Sequence, residues 1–249
     1  MAGTTVSGRL GWLLAAVTSK RAETPRAITL HLEADAWPGH LPGQHVDVRL
    51  TAPDGYRAQR SYSIASAPSK GQLELTVEDL DDGEVSPYLS EELRPGDELE
   101  LRGPIGGYFT WTEEDGGPLL LVAGGSGIVP LMSMLRYRHE VGSMVPTTLL
   151  YSSRSWDEII YRDELEHFND DESLRVIHTL TRSQPEGWDG YTRRIDAAML
   201  EAVAGNPPPN SLAFICGPTP LVESVANGLV LLNYAAGQIK TERFGPTGG

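Results

Sequence analysis

The sequence predicts two units of different class: an antiparallel β-barrel over residues 1–112, then a doubly wound α/β domain on a parallel sheet over residues 113–249. Three observations carry this. Short segments of alternating or β-rich character, separated by turn clusters, fill the first part. After residue 117 the pattern changes to apolar runs alternating with helical stretches. A glycine-rich loop joins the first of those runs to the first of those helices.

In the first part, the apolar run Trp12 to Val17 reads as an opening strand, being too short for a leader segment. Ala27 to Leu32, His45 to Leu50, Leu73 to Glu78 and Glu98 to Arg102 read as strands. So does Arg60 to Ser66. Pro38-Gly39, Pro42-Gly43, Pro53-Asp54-Gly55, Asp81-Asp82-Gly83 and Pro95-Gly96-Asp97 supply the turns, a spacing that suits a small closed barrel. Glu113-Glu114-Asp115-Gly116-Gly117, charged and then glycine-rich, reads as a flexible linker.

In the second part, Leu119 to Ala123 is apolar throughout, as expected of a strand covered on both faces. A helix is expected from Pro130 to about His139, then a strand over Thr147 to Ser152. Ser155-x-x-Glu158 reads as a capping box opening a helix through about Phe168. Leu174 to Leu180 is a third strand. Asp196 caps a short helix ending at Gly205, Ser211 to Cys216 is a fourth strand, and Thr219-Pro220 opens the last helix. Gln238 to Phe244 closes the sheet.

Bulk composition excludes several functions. The 249 residues carry a formal net charge of −14, which argues against nucleic acid and anionic membranes as partners. The single cysteine, Cys216, excludes a disulfide within the chain, a paired-cysteine zinc site and an iron–sulfur cluster held by four thiolates. The six histidines show no metal-binding spacing, so no metal is expected. No apolar run reaches the roughly 18 residues of a membrane span, and a cytoplasmic location is expected.

The chemistry lies in a few motifs. On a strand, Arg60 and Tyr62 share a face, with Ser63 beside the ring. A guanidinium suits a phosphate and a tyrosine ring suits a flat heteroaromatic, which together suggest a flavin nucleotide. Ala123-Gly124-Gly125-Ser126-Gly127-Ile128-Val129-Pro130 lies between a strand and a helix. Its G-x-G-x-x-P spacing permits a tight turn and close backbone approach to a pyrophosphate. Cys216-Gly217-Pro218 ends the fourth strand, where ligands of open α/β sheets bind.

Taken in order, Arg60-x-Tyr62-Ser63, Gly83-Glu84-Val85-Ser86-Pro87-Tyr88-Leu89, Gly103-Pro104-Ile105-Gly106-Gly107-Tyr108-Phe109, the glycine loop and Cys216-Gly217-Pro218 resemble the ferredoxin–NADP reductase superfamily over nearly the whole chain. The resemblance implies a flavin-binding antiparallel barrel followed by a nicotinamide-nucleotide domain. It implies that Arg60 holds a flavin phosphate, Tyr62 packs on the isoalloxazine, Ser63 hydrogen-bonds near flavin N5 and Val77 lies along the flavin by its main chain. Gly83, Glu84, Val85 and Ser86 would bind the flavin pyrophosphate, which favours FAD over FMN. Gly124, Gly125, Ser126 and Gly127 would take the nicotinamide nucleotide's pyrophosphate. Cys216, with Gly217 and Pro218, would lie near the nicotinamide. Thr241-Glu242-Arg243-Phe244-Gly245-Pro246 is similar to family tails, so that Phe244 would shield the flavin and Glu242 assist. Ser63, Cys216 and Glu242 form the expected catalytic set.

Ser153-Arg154 after the second strand and Thr181-Arg182 after the third correspond to hydroxyls and arginines of NADP-using relatives. A 2′-phosphate needs such donors, whereas a bare ribose prefers a carboxylate. No acid directly follows the second strand, although Asp157 is near, so the expectation leans to NADPH with NADH as the alternative. The implied activity is hydride transfer from NAD(P)H to FAD, then electron delivery to a separate acceptor such as a ferredoxin, flavodoxin or haem protein. A small-molecule (flavin or quinone) reductase and an electron-transfer subunit inert alone are the alternatives.

Overall fold

The computed structural model describes residues 11–52, 54–68, 73–79, 83–168 and 171–244. The expected turn residues Pro53, Asp81 and Asp82 and the tail residues Gly245 and Pro246 lie outside them. Among the described residues no helix is long and apolar enough to cross a membrane.

Six antiparallel strands form the first sheet: β1 (Leu13–Thr24), β2 (Ala27–Glu33), β3 (His45–Thr51), β4 (Arg57–Ser63), β5 (Leu73–Glu78) and β6 (Glu98–Ile105), in the order β4-β3-β6-β1-β2-β5. The two edge strands come together where Ile64, just past β4, bridges Leu75 of β5, so the sheet curls into the expected barrel. Alternation fills its inside. Val46, Val48, Leu75, Val77, Leu99 and Leu101 are buried in one cluster. The β-like stretch from Arg60 is shorter than expected, because β4 ends at Ser63 and Ala65 and Ser66 turn in to pack.

The second sheet contains β7 (Leu119–Gly124), β8 (Thr147–Ser153), β9 (Leu174–Leu180), β10 (Leu212–Pro218) and β11 (Ile239–Phe244), all parallel, in the order β11-β10-β7-β8-β9. Helices α1 (Ile128–Glu140) and α2 (Arg162–His167) cover one face. Helices α3 (Ala197–Ala204) and α4 (Thr219–Leu231) cover the other. Because β7 is buried on both sides, Leu119 and Leu121 pack with α1 while Leu120 and Val122 pack with α3 and α4, which explains the unbroken apolar run. Helix α1 starts two residues before Pro130. The proline is tolerated there because first-turn N–H groups have no helical acceptor. Asp196 caps α3 as expected, accepting from the Met199 N–H at 2.8 Å.

Two local expectations are corrected. Ser155 makes no side-chain cap. Trp156–Glu158 is a single 3-10 turn, Ile159 is extended, Tyr161 is left-handed at φ 61°, and α2 begins only at Arg162. The interruption follows from packing: Ile159, Ile160 and Tyr161 are all buried, and one helix face cannot bury three consecutive side chains. The linker is also ordered. Thr112 and Asp115 form a reciprocal capping box around Glu113–Asp115, and the Trp111 indole donates to the Gly116 carbonyl at 2.8 Å.

Helix α1 also joins the two sheets. Arg136 donates to the Ala65 carbonyl and to Glu74 of β5, each at 2.8 Å, and to Glu164 of α2. Ser133 donates to the Ser66 carbonyl at 2.8 Å, and the buried Tyr161 hydroxyl meets Thr76 of β5. These contacts set the barrel wall against the carboxyl ends of the parallel strands.

Candidate functional site

A cavity of about 760 Å³ opens between the two sheets. Its barrel wall is formed by β4 and the segment after β5: Arg60, Tyr62 and Ser63 with Gly83, Glu84, Val85 and Ser86. Arg60 spends one N–H on the Gln59 carbonyl at 2.8 Å, and its exposed guanidinium faces the cavity. The Tyr62 ring packs on the barrel core, and burial pushes its phenol well above the usual range, so it stays neutral. Arg26, Thr76 and Glu78 complete this wall, although nothing in their sequence context singled them out.

The sheet wall is the switch point of the parallel sheet. From β7 the chain runs outward through β8 and β9, then returns to β10 and β11 on the other side, leaving a crevice between the ends of β7 and β10. Gly124, Gly125 and Ser126 line it from one side, and Pro218 and Thr219 from the other. The glycines have separate reasons. A Cβ on Gly127 would collide with the Cys216 carbonyl and come within 2.8 Å of the Gly217 nitrogen. A Cβ on Gly124 would meet Leu221 at 2.7 Å and Pro218 at 3.1 Å. Gly125 has φ +56° and only Glu78 Oε2, at 3.9 Å, near its missing side chain, so its backbone is open to the cavity. Further out the wall is made by Ser153 at the end of β8, Arg154 and Glu158 beyond it and Thr181 after β9, with Phe244 at the end of β11.

Of the residues singled out in the sequence, Arg60, Tyr62, Ser63, Gly83 to Ser86, Gly124 to Ser126, Ser153, Arg154, Thr181, Pro218 and Phe244 therefore share one cavity. Six others are not on its wall. The Val77 side chain is in the barrel core, flanked by Thr76 and Glu78, which do line the cavity. Gly127 and Gly217 serve the packing of the two loops. Arg182 is exposed beyond Thr181, its backbone N–H donating to the Arg154 carbonyl at 2.8 Å. Cys216 and Glu242 sit just behind the wall on paired positions of β10 and β11.

There the Cys216 thiol lies 3.9 Å from Glu242 Oε2. Burial drives the thiol far up, and the neighbouring carboxylate adds to this, so it is a neutral group rather than a nucleophile. Burial likewise pushes Glu242 up to about 7, against a smaller opposing effect of the thiol. His45 Nδ1 stands 3.9 Å from the other oxygen of Glu242, and His45 is the cross-strand partner of Ser63. Desolvation lowers its basicity, with Asp47 working in the opposite direction. Sequence reasoning missed His45. The only signal was its place on β3, and its meaning depended on β3 pairing with β4 and facing β11.

The cavity suits a flavin dinucleotide and a second dinucleotide meeting it. A neutral aromatic ring and a hydroxyl stand together, a guanidinium lies within reach, and two separate backbone cradles, Gly83–Ser86 and Gly124–Ser126, open into the same space. These features define a protein with one flavin-binding and one nicotinamide-nucleotide-binding unit. Comparison with known proteins gives the same result. The oxidoreductase FAD-binding domain family matches residues 17–110 and the oxidoreductase NAD-binding domain family residues 121–227. Ferredoxin–NADP reductase B of Sorangium cellulosum is 37% identical over 183 residues, covering 70% of this chain and 72% of that protein. The chain belongs to the ferredoxin–NADP reductase superfamily.

The glycine betaine monooxygenase reductase subunit of Pseudomonas aeruginosa is 36% identical over 216 residues, covering 83% of this chain and 56% of that protein. The chain thus spans little more than half the length of that relative. In fold, it is similar to a ferredoxin NADP+ reductase from Neisseria gonorrhoeae solved with FAD and NADP bound (TM-score 0.80, 23% identity, 94% of this chain and 99% of that one).

Proposed function

We propose that the chain is an NAD(P)H-dependent flavoprotein reductase that passes electrons from the nicotinamide through FAD to a separate redox protein. The observation that carries this is the single cavity into which both the barrel's Arg60, Tyr62 and Ser63 and the sheet's Gly124 to Ser126 open. Bound FAD would supply the ability to accept a hydride as a pair of electrons and to release the electrons singly. Everything else is the protein's task. Arg60 and the Gly83–Ser86 segment would hold the flavin's phosphates, and Tyr62 and Ser63 would offer it a stacking ring and a hydrogen-bond donor. The Val77 main chain would run along the flavin, its side chain staying in the barrel core. Gly124 to Ser126, with Pro218, would position the second pyrophosphate on loops that Gly127 and Gly217 pack together, and Ser153, Arg154 and Thr181 would surround the adenosine end, with Arg182 beyond them. Phe244 would cover the ring on the side where the nicotinamide arrives and so exclude water. Cys216, Glu242 and His45 line up behind Ser63, where Glu242, protonated below about pH 7, holds a proton beside the reacting region.

The boundary between the flavin domain (1–112) and the nucleotide domain (113–249) is placed at the Thr112–Asp115 turn, and the location is read as cytoplasmic. The partner is read as a protein because relatives of this chain are named reductase subunits. An anaerobic titration of the purified protein with NADH and with NADPH tests the reading. Bleaching of the flavin band is expected with at least one of them. A flavin that stays oxidised with both would overturn it and favour a subunit inert alone.

A further inference from the structure

NADPH differs from NADH by one phosphate on the adenosine ribose, a monoester of about −1.5 to −2 charge at neutral pH. In a doubly wound sheet the side chains just after the second strand meet that ribose. A carboxylate there accepts from the 2′-hydroxyl, whereas an arginine takes a 2′-phosphate. Here the second strand is β8, and both kinds of group follow it into the cavity. Arg154 and Glu158 line the same wall, with Arg154 Nη1 3.9 Å from Glu158 Oε1. The other oxygen, Glu158 Oε2, is buried and has no hydrogen-bond partner. Asp157, the acid nearest β8 in sequence, is 83% exposed, loosely paired with Arg162 and off the cavity wall. Arg182 is off it as well.

The wall therefore offers one arginine, already facing a carboxylate, and one acceptor oxygen lacking a donor. A buried acceptor gains from a hydroxyl and loses from a second anion. The hydroxyls and arginines after β8 and β9 favour NADPH when taken alone. Glu158, four residues beyond Arg154, turns the balance.

We infer that Glu158 selects NADH over NADPH in this chain, accepting a hydrogen bond from the adenosine 2′-hydroxyl and repelling a 2′-phosphate, with Arg154 serving as its counter-ion. The inference rests on the cavity being the nicotinamide-nucleotide site proposed above.

Calorimetric titration of the flavin-loaded protein with ADP-ribose and with 2′-phospho-ADP-ribose tests it without any turnover. Wild type is expected to bind the unphosphorylated ligand about tenfold more tightly or better, since facing like charges are strongly disfavoured. Glu158→Gln should close most of that gap by tightening the 2′-phosphorylated ligand. Adding Arg154→Ala should undo the gain, because the freed guanidinium provides it. Retained flavin reports that each variant is folded. A wild type preferring the 2′-phosphorylated ligand, or a ratio unmoved by Glu158→Gln, would overturn the inference alone. Failure of both ligands to bind wild type would overturn the nucleotide-site assignment and the inference with it.

Discussion

The two walls of the cavity work by different means. Along β4 the barrel wall uses side chains: Arg60, Tyr62 and Ser63 project from a strand whose neighbours hold it in register, with Val46 opposite Tyr62 and Val48 opposite Arg60. At its glycine loop the sheet wall uses backbone, made available by glycines that let one loop lie directly on another. A side-chain wall can lose a group and keep its shape. A backbone wall has no group to lose and fails when its shape changes.

Gly127→Ala should break that contrast most severely. Its Cβ would meet the Cys216 carbonyl and the Gly217 nitrogen, both main-chain atoms that cannot swing aside. A loss of about 3 kcal/mol, the upper part of the overpacking range, is expected in denaturant unfolding, together with loss of nicotinamide-nucleotide binding. Undiminished stability and nucleotide affinity would show that the loops are looser than their packing implies. Arg60→Ala should do the opposite, leaving the fold intact and weakening flavin affinity by about 2 kcal/mol, the worth of a hydrogen bond to a charged group. Equilibrium dialysis of flavin reads this out, and full retention in the variant would remove Arg60 from the phosphate site.

Glu242 joins the two walls, and pH sharpens its part. Its carboxyl titrates near 7 in the fold against an ordinary 4.5. The folded state therefore favours the protonated form. The associated stability is complete below about pH 4.5 and is lost as pH rises through about 7. Glu242→Gln should remove this, so that its melting temperature relative to wild type rises between pH 5 and pH 8. The same substitution should erase an ionisation near pH 7 from kcat/KM; a profile identical to wild type would show that Glu242 stands apart from the reaction. The smallest effect is expected from Ser155→Ala. A working N-cap is worth about 1 kcal/mol, but Ser155 makes no cap bond, so a change within about 0.5 kcal/mol is expected in thermal unfolding.

The Ser155 case shows where local patterns stop being informative. Ser-x-x-Glu satisfies the rule for a capped helix, and Glu113 to Gly117 satisfies the rule for a flexible linker. Both rules describe a segment in isolation. Tertiary burial of Ile159, Ile160 and Tyr161 broke the helix, and the Trp111 indole's need for an acceptor helped order the linker. Asp196 and Thr219-Pro220 followed their local rules because nothing in the packing competed with them.

By itself the sequence determined the two-part architecture, nearly every strand, and most of the residues of both cavity walls. These are encoded by periodicity and by residue types that only certain geometries tolerate: an alternating Arg-x-Tyr, or glycines between a strand and a helix. Only the tertiary structure decided which of those residues reach the cavity and which stand behind it. It buried Val77, put Arg182 outside, backed Ser63 with His45 and Glu242, and placed Glu158 rather than Asp157 on the wall. The physical reason is that, Val77 apart, these outcomes depend on how the two sheets pack against each other. Contacts of Arg136, Ser133 and Tyr161 hold the sheets together, and those residues are widely separated along the chain from the ones that line the cavity.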